Sequence, residues 1–291
     1  MENNFKIKGL LNQHLKIQLD QENIYNGRNT NVYGQILNGN EESTAMNYLL
    51  NLGYMRLNDA KSIGMFNELN LAANINKEIV HEDIQDEDTI YLNDNYLKIK
   101  RNIVECMEKR HSGRQFSGYT MGFREFSSIC RYSFGLSRRQ MNYGGVAAPA
   151  RYYASGGGLY PVNVFVYVNN VAGISKGLYR YQTGSHSLYP GKNSFDTHKF
   201  LQYGNFDFDN FSFLVLYEYD FNKNYLKYGE LSLLITLVEV GILSHQLELV
   251  ATSMDFTVCQ IAGFDKQYAE KELDLDGINS HILFTNICGR E

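Results

Sequence analysis

The chain has 291 residues, 44% of them hydrophobic, which is enough to bury a sizeable core. Its 27 Lys and Arg against 32 Asp and Glu leave a net charge of -5, so a general field for nucleic acid or another polyanion is excluded. No apolar run reaches the roughly 18 to 20 residues of a membrane span, and Met1-Glu-Asn-Asn-Phe-Lys lacks a basic-then-apolar signal pattern, so the expected location is the cytoplasm.

Residues 1–95 are rich in Asn, Asp, Glu and Lys, with short apolar clusters such as the one from Met46 to Tyr54 and an acidic patch from Glu82 to Asp88. No catalytic pattern falls there. Adjacent carboxylates repel and favour water, so the patch reads as a solvated loop. This part is expected to be an N-terminal extension that packs on the core or docks a partner, and the main domain is expected over 96–291.

Leu97 to Lys109 carries Ile99, Ile103, Val104 and Met107 at roughly helical spacing and ends in Lys109-Arg110-His111. Phe123 to Leu136 predicts a second helix, stopped by Gly135. Gly144-Gly145, Pro149 and Gly156 to Gly158 then predict a long irregular connection. Val162 to Val168 and Phe211 to Tyr219 are β-branched and aromatic runs typical of buried strands. Gly177 to Gln182 and Ser187 to Pro190, around Thr183-Gly184, predict a hairpin. From Tyr228 to Met254 runs a stretch without Pro that is apolar on most faces, including Leu231, Leu234, Leu237, Val238, Ile242, Leu243, Leu247 and Val250. Such a helix is buried at a protein centre or a subunit interface, and a dimer is expected. Ile282 to Ile287 closes the chain as a short strand ending at Gly289. Mixed strands and helices without a regular βαβ rhythm give an α+β class.

Cys106, Cys130, Cys259 and Cys288 are scattered, with no CxxC pair, and the seven histidines form no HExxH pattern. Neither a metal site nor a disulfide framework is expected, and the thiols are read as buried packing residues.

Chemistry concentrates at three places. In Lys109-Arg-His-Ser-Gly-Arg-Gln-Phe116, two arginines flank a serine at a helix end, a set of donors that suits phosphate. In Tyr153-Ala-Ser-Gly-Gly-Gly-Leu-Tyr-Pro-Val162, three glycines let backbone approach a flat ligand. This stretch is neither GxGxxG nor a P-loop, since the strand follows the glycines, which disfavours a nicotinamide Rossmann site. In Tyr225-Leu-Lys-Tyr-Gly-Glu230, Lys227 and Tyr228 at the head of the long apolar helix form a proton-transfer pair. Desolvation would lower the lysine pKa, and the nearby ammonium would lower that of the tyrosine.

In this order, Arg-His-Ser-x-Arg-x-Phe, Ser-Gly-Gly-x-Leu-Tyr-Pro and Lys-Tyr-Gly resemble the SagB-type branch of the nitroreductase-like flavoproteins. These are the azoline oxidases of streptolysin-like and microcin-like peptide clusters. The resemblance covers roughly residues 98–291. It implies the nitroreductase α+β fold as an intertwined homodimer with FMN at its interface. It assigns Arg110, His111, Ser112 and Arg114 to the phosphate and ribityl side, and Ser155, Gly156, Gly157, Leu159 and Tyr160 to the isoalloxazine. Ala262 and Gly263 match a later segment that approaches the flavin, and Arg290 a last phosphate contact. Ala154 and Val162 depart from a frequent Pro and acidic residue, and Leu231 and Leu234 stand where the family often has arginines.

The resemblance further implies a reaction: a thiazoline or oxazoline in a ribosomally made precursor peptide becomes a thiazole or oxazole, and the electrons pass to oxygen. Tyr228, with its pKa lowered by Lys227, would accept the ring proton, and a cyclodehydratase would be a partner in bacteriocin biosynthesis. Two other readings stay open: an NAD(P)H-dependent nitroreductase or quinone reductase of the same fold, and a flavin-free scaffold of a peptide-modifying complex.

Overall fold

The structure is a computed structural model that describes residues 44–51, 64–65, 83–143, 146–191, 194–201 and 207–291. The chain divides into two compact units, Met1–Met55 and Arg56–Glu291. The described part of the first is helix α1 (Thr44–Asn51). Residues 52–54 of the apolar cluster, Glu82 of the acidic patch and the pair Gly144-Gly145 lie outside the described residues.

The second unit is built on a seven-stranded antiparallel sheet of spatial order β1-β6-β5-β4-β7-β9-β8. Its strands are β1 (Ile90–Tyr91), β4 (Val162–Val168), β5 (Gly177–Gln182), β6 (Ser187–Pro190), β7 (Phe213–Asp220), β8 (Thr257–Ile261) and β9 (Ser280–Gly289). Alternation along the strands feeds two cores, since successive side chains point to opposite faces. Val162, Val164, Val166 and Val168 of β4 join Phe213, Val215 and Tyr217 of β7 on one face. There they meet helix α3 (Phe123–Phe134) and the long helix α6 (Leu231–Ser253). Tyr167, Leu214, Leu216 and Ile282 face the other way, toward α4 (Thr197–Phe200) and α7 (Lys266–Glu272). With both faces covered, strand β7 is buried from Phe213 to Tyr219, which is why its sequence is nearly continuous in apolar residues.

Four expectations change. Helix α2 spans Ile103–Lys109 rather than starting at Leu97, because Asn102 caps it: its side chain accepts from Glu105 N at 3.0 Å. The preceding residues instead form a strap over α3, where Leu97 N donates to Ser128 Oγ at 2.8 Å and Asn93 N to Ser127 Oγ at 3.1 Å. Ile99, Ile103, Val104 and Met107 are exposed in the single chain, and Cys106 is the buried residue of α2.

Second, the expected irregular connection begins as a two-stranded ribbon, β2 (Leu136–Tyr143) paired with β3 (Val146–Arg151). Pro149 is accommodated opposite Gln140, where the register shifts, a place at which a missing N–H is tolerated. Third, the helix expected from Tyr228 is two helices. Helix α5 (Asn222–Tyr228) ends at Gly229, whose φ of 53° and ψ of -135° halt it, and α6 starts at Leu231. Lys227 and Tyr228 therefore close a short helix instead of heading the long one. Fourth, α6 has 23 residues and is long and apolar enough by composition to cross a membrane. It carries buried Glu239 and Glu248 and packs against α2, α3, β8 and β9, the environment of a core helix.

The four cysteines are buried free thiols, as packing residues are expected to be. Phe126 of α3 is fully buried and meets Phe213 of β7 edge to face at 5.2 Å. Phe126→Ala removes that contact and leaves a cavity, so urea denaturation of the variant should show a loss of about 3 to 5 kcal/mol. A loss below about 1 kcal/mol would contradict this packing.

Candidate active site

The glycine-rich segment leaves the ribbon and enters β4 through a turn with three left-handed residues: Gly157 (φ 64°), Gly158 (φ 66°) and Tyr160 (φ 50°). A glycine takes this conformation freely, whereas Tyr160 does so at a cost and must be held. Several contacts hold it. Ser155 Oγ accepts from Tyr160 N at 2.9 Å, and Arg151 N donates to the Tyr160 hydroxyl at 3.2 Å. The guanidinium of buried Arg151 lies 4.6 Å from the centre of the Tyr160 ring and donates to Tyr153 Oη at 2.6 Å. Leu159 is fully buried.

The glycines are required by close approach. A Cβ on Gly156 would sit 2.3 Å from Ile235 Cγ2 of α6. A Cβ on Gly157 would sit 2.3 Å from Tyr228 Oη and 2.7 Å from Lys227 Nζ. The structure thus brings together two of the three places singled out in the sequence, although they lie about 70 residues apart.

Lys227 is buried, and its Nζ lies 5.2 Å from the centre of the Tyr228 ring. Burial pushes the Lys227 pKa down and the Tyr228 pKa up. The expectation that the ammonium lowers the tyrosine pKa is therefore corrected. Both groups lose water, and desolvation favours the uncharged form of each. What results is an ammonium that gives up its proton more readily beside a phenol that holds its own more tightly.

The basic segment forms a separate cluster. Arg110 Nη1 is 3.6 Å from Glu248 Oε1 of α6. His111 Nε2 is 2.7 Å from Glu291 Oε2, its Nδ1 is 3.0 Å from the Lys109 carbonyl, and Arg114 N donates to Glu291 Oε1 at 3.3 Å. The Glu291 bond raises the His111 pKa, with the Lys109 carbonyl adding to it. Ser112 lies between them, its carbonyl 3.5 Å from Arg114 Nη1. Gly113 is pressed onto Thr257, so this turn admits no side chain.

Glu239 anchors the loop and Glu248 the basic segment, both on α6. Nine residues at 100° each place them on opposite sides of the helix, roughly 13 Å apart along its axis. Ala262 and Gly263 follow β8 at the sheet edge and are exposed. The guanidinium of Arg290 lies 3.9 Å from the Tyr119 ring centre, 4.6 Å from that of Phe256 and 3.7 Å from Glu125. Past the end of β9 at Gly289, Arg290 takes that side while Glu291 turns toward His111 and Arg114.

Glu239 and Arg151 were not found from the sequence. A Glu flanked by Val238 and Val240 inside an apolar helix was the available signal, since such a residue needs a reason to be there. Glu239 is almost fully buried, accepts a short bond from Ser155 Oγ, and has its pKa pushed up to about 7, chiefly by burial. Because that pKa lies above the ordinary 4.5, the group's contribution is fully present below pH 4.5 and is lost as pH rises through 7. Glu239→Gln cannot ionise and escapes that loss. Its stability relative to the wild type should therefore be higher at pH 8 than at pH 4.5, by about 3 kcal/mol in urea denaturation. A pH-independent difference would refute the buried ionisation.

A nitroreductase family profile matches residues 107–290. No curated protein matches the sequence. Among solved structures, a putative nitroreductase from Ralstonia eutropha JMP134 superposes with a TM-score of 0.57 at 16% identity, over 70% of this chain and 90% of that one. A putative nitroreductase from Anabaena variabilis gives 0.56 at 18% identity, over 69% of this chain and 41% of that one. A chain of the E. coli microcin synthetase McbBCD complex with truncated pro-MccB17 bound gives 0.55 at 20% identity, over 87% of this chain and 98% of that one. With well over half its length matched and this sheet and helix arrangement shared, the chain belongs to the nitroreductase family and carries its oxidoreductase fold.

Proposed function

We propose that the protein is an FMN-dependent oxidase that converts thiazoline or oxazoline rings of a ribosomally made precursor peptide into thiazoles or oxazoles. The observation that carries this reading is the convergence of Lys227 Nζ and Tyr228 Oη on the backbone of Gly157. A proton-handling pair meets a stretch of chain stripped of side chains, an arrangement suited to a flat redox group and its substrate. The likeness to a chain of the microcin synthetase complex supports a modified peptide as substrate.

The residues present fit FMN. His111 and Arg114 N already hold a carboxylate, that of Glu291, which supports an oxyanion site for phosphate there, with Arg110 and Ser112 beside it. Ser155, Gly156, Gly157, Leu159 and Tyr160 would line the ring system. When bound, FMN supplies the two-electron acceptor that the aromatisation needs and delivers the electrons to oxygen. The chain's own part is the proton. Azoline oxidation releases two electrons and two protons, and Lys227, whose balance burial shifts toward the uncharged amine, is the group suited to take the ring proton. Tyr228, kept as a phenol, holds the amine and the substrate edge in place.

The basic segment and the glycine loop flank opposite sides of α6, so a ligand that reaches both kinds of residue draws them from two copies. Ala262 and Gly263, exposed at the sheet edge, would reach the ligand in the same way. An apolar surface exists for a second copy: Leu237, Val238 and Ile242 of α6 are exposed, as are Ile103, Val104 and Met107 of α2, which packs on α6. Exposed apolar stripes on adjacent helices favour association. In this reading the homodimer works in the cytoplasm, a cyclodehydratase supplies the azolines, and residues 1–95 serve as a docking extension.

Two experiments test the reading. Lys227→Ala combined with Tyr228→Ala should keep bound flavin, read by its visible absorption, yet lose at least a hundredfold in azole formation, read as a loss of about 2 Da from an azoline peptide. Retained turnover would sink the assignment, and rapid bleaching of the wild-type flavin by NADPH would favour a nitro- or quinone-reducing enzyme. Val238→Asp places a charge on the exposed stripe and should convert a dimer to a monomer in light scattering, with the flavin released. A variant that stays dimeric and yellow would rule out this interface.

A further inference from the structure

The carboxylate of Glu239 is an expensive choice for the middle of an apolar helix. It is 1% exposed, and its Oε1 has no hydrogen-bond partner. A buried, half-satisfied acid lowers stability relative to an apolar side chain of similar size. Packing alone therefore gives no reason for it.

Its bonds do. Oε2 accepts from Ser155 Oγ, and the carboxylate also accepts from the backbone N–H of Val162. Ser155 Oγ in turn accepts from Tyr160 N, the amide of the residue held at a φ of 50°. One carboxylate thus grips both ends of the segment Ser155–Val162, which carries Gly156 onto Ile235 and Gly157 onto Lys227 and Tyr228. The hydroxyl of Ser155 donates its proton to Glu239 and keeps its lone pairs for the Tyr160 amide, so the carboxylate fixes the direction in which that acceptor points. The charged and titratable groups around the carboxylate are Arg151 of β3, Lys223 of α5, and Tyr153 and Tyr160 of the loop itself.

Resting on the reading of this loop as the flavin-lining segment, we propose that Glu239 is its positioning residue, acting through Ser155 to fix the left-handed Tyr160 and seat Gly157 against Lys227 and Tyr228. Glu239 itself need not touch substrate or flavin. It sets the distance between the stripped backbone and the proton-handling pair.

The test compares full-length Glu239→Leu, Glu239→Gln, Ser155→Ala and the Glu239→Leu/Ser155→Ala double variant. Leucine keeps the volume and removes the acceptor, whereas glutamine keeps an acceptor for Ser155. The first measurement is hydrogen–deuterium exchange of the peptide covering residues 155–160, read by mass spectrometry at one pH. Exchange should be at least tenfold faster in Glu239→Leu and in Ser155→Ala, within twofold of wild type in Glu239→Gln, and no faster in the double variant than in either single one. The second is FMN affinity by fluorescence quenching, expected to weaken about tenfold in Glu239→Leu and to be restored in Glu239→Gln. Wild-type exchange in both Glu239→Leu and Ser155→Ala overturns the proposal, as does Glu239→Gln exchanging as fast as Glu239→Leu, or additive effects in the double variant. If no variant and no wild type binds FMN, the flavin reading fails, while the exchange measurement still decides the role of Glu239. Should Glu239→Leu not fold, Ser155→Ala and Glu239→Gln carry the same comparison.

Discussion

The closeness of the glycine-rich loop to α6 is the constraint on which the rest of the site depends. With Ile235 Cγ2 within 2.3 Å of any Cβ at position 156, and Lys227 and Tyr228 in the same relation to position 157, the loop is pressed onto two helices at once. A Cβ at position 156 would press on Ile235, and one at position 157 would displace the ends of the Lys227 and Tyr228 side chains and strain a backbone at a φ of 64°. Tyr160, in a conformation that most residues avoid, shows that the closure is maintained against local preference. The free energy that maintains it comes from burial around the loop, including Leu159, Tyr153 and Tyr160, and from the Ser155 and Arg151 hydrogen bonds.

The halt at Gly229 is what lets two helices supply that seat. A continuous helix through residues 222–253 would carry Lys227 and Tyr228 along the axis of α6, with side chains spread around it at 100° intervals. The break lets α5 run separately and ties the two by other bonds. Asn224 of α5 donates to Thr236 Oγ1 at 2.9 Å, and Tyr219 of β7 reaches both Asn224 at 2.9 Å and Ser232 at 3.1 Å. All four polar side chains are buried, so this small network locks the angle between the helices.

Much of this was legible in the sequence. Strands β4, β5 and β6 fall where β-branched and aromatic runs and the Thr183-Gly184 turn put them. The ordered motifs likewise led to the family, since loop backbone, basic turn and proton-handling pair each need particular residue types. What stayed hidden depended on tertiary context. The α5–α6 break hangs on a single glycine, one residue into the stretch that reads as one helix from Tyr228 to Met254. The sign of the Tyr228 shift turned on how far water is excluded, which adjacency in sequence does not report. Glu239 was overlooked because its value lies in a bond to Ser155, 84 residues earlier.

Burial acts on the Lys227–Tyr228 pair differently from a neighbouring charge. A cation near Lys227 would lower the lysine pKa by repulsion and the tyrosine pKa by attraction. Here desolvation by burial is the cause for both groups, and it moves them in opposite directions. Both routes lower the lysine pKa, but they differ for the phenol: a nearby cation favours phenolate, whereas burial favours the phenol. Here the pair is shifted by burial, and in the proposed reaction Lys227 is the acceptor and Tyr228 the fixed donor. In the proposed dimer, covering Leu237, Val238 and Ile242 on the same helix removes more water from its surroundings. Association would then push both groups further in the directions they already take, so assembly and proton affinity would be coupled through one physical cause.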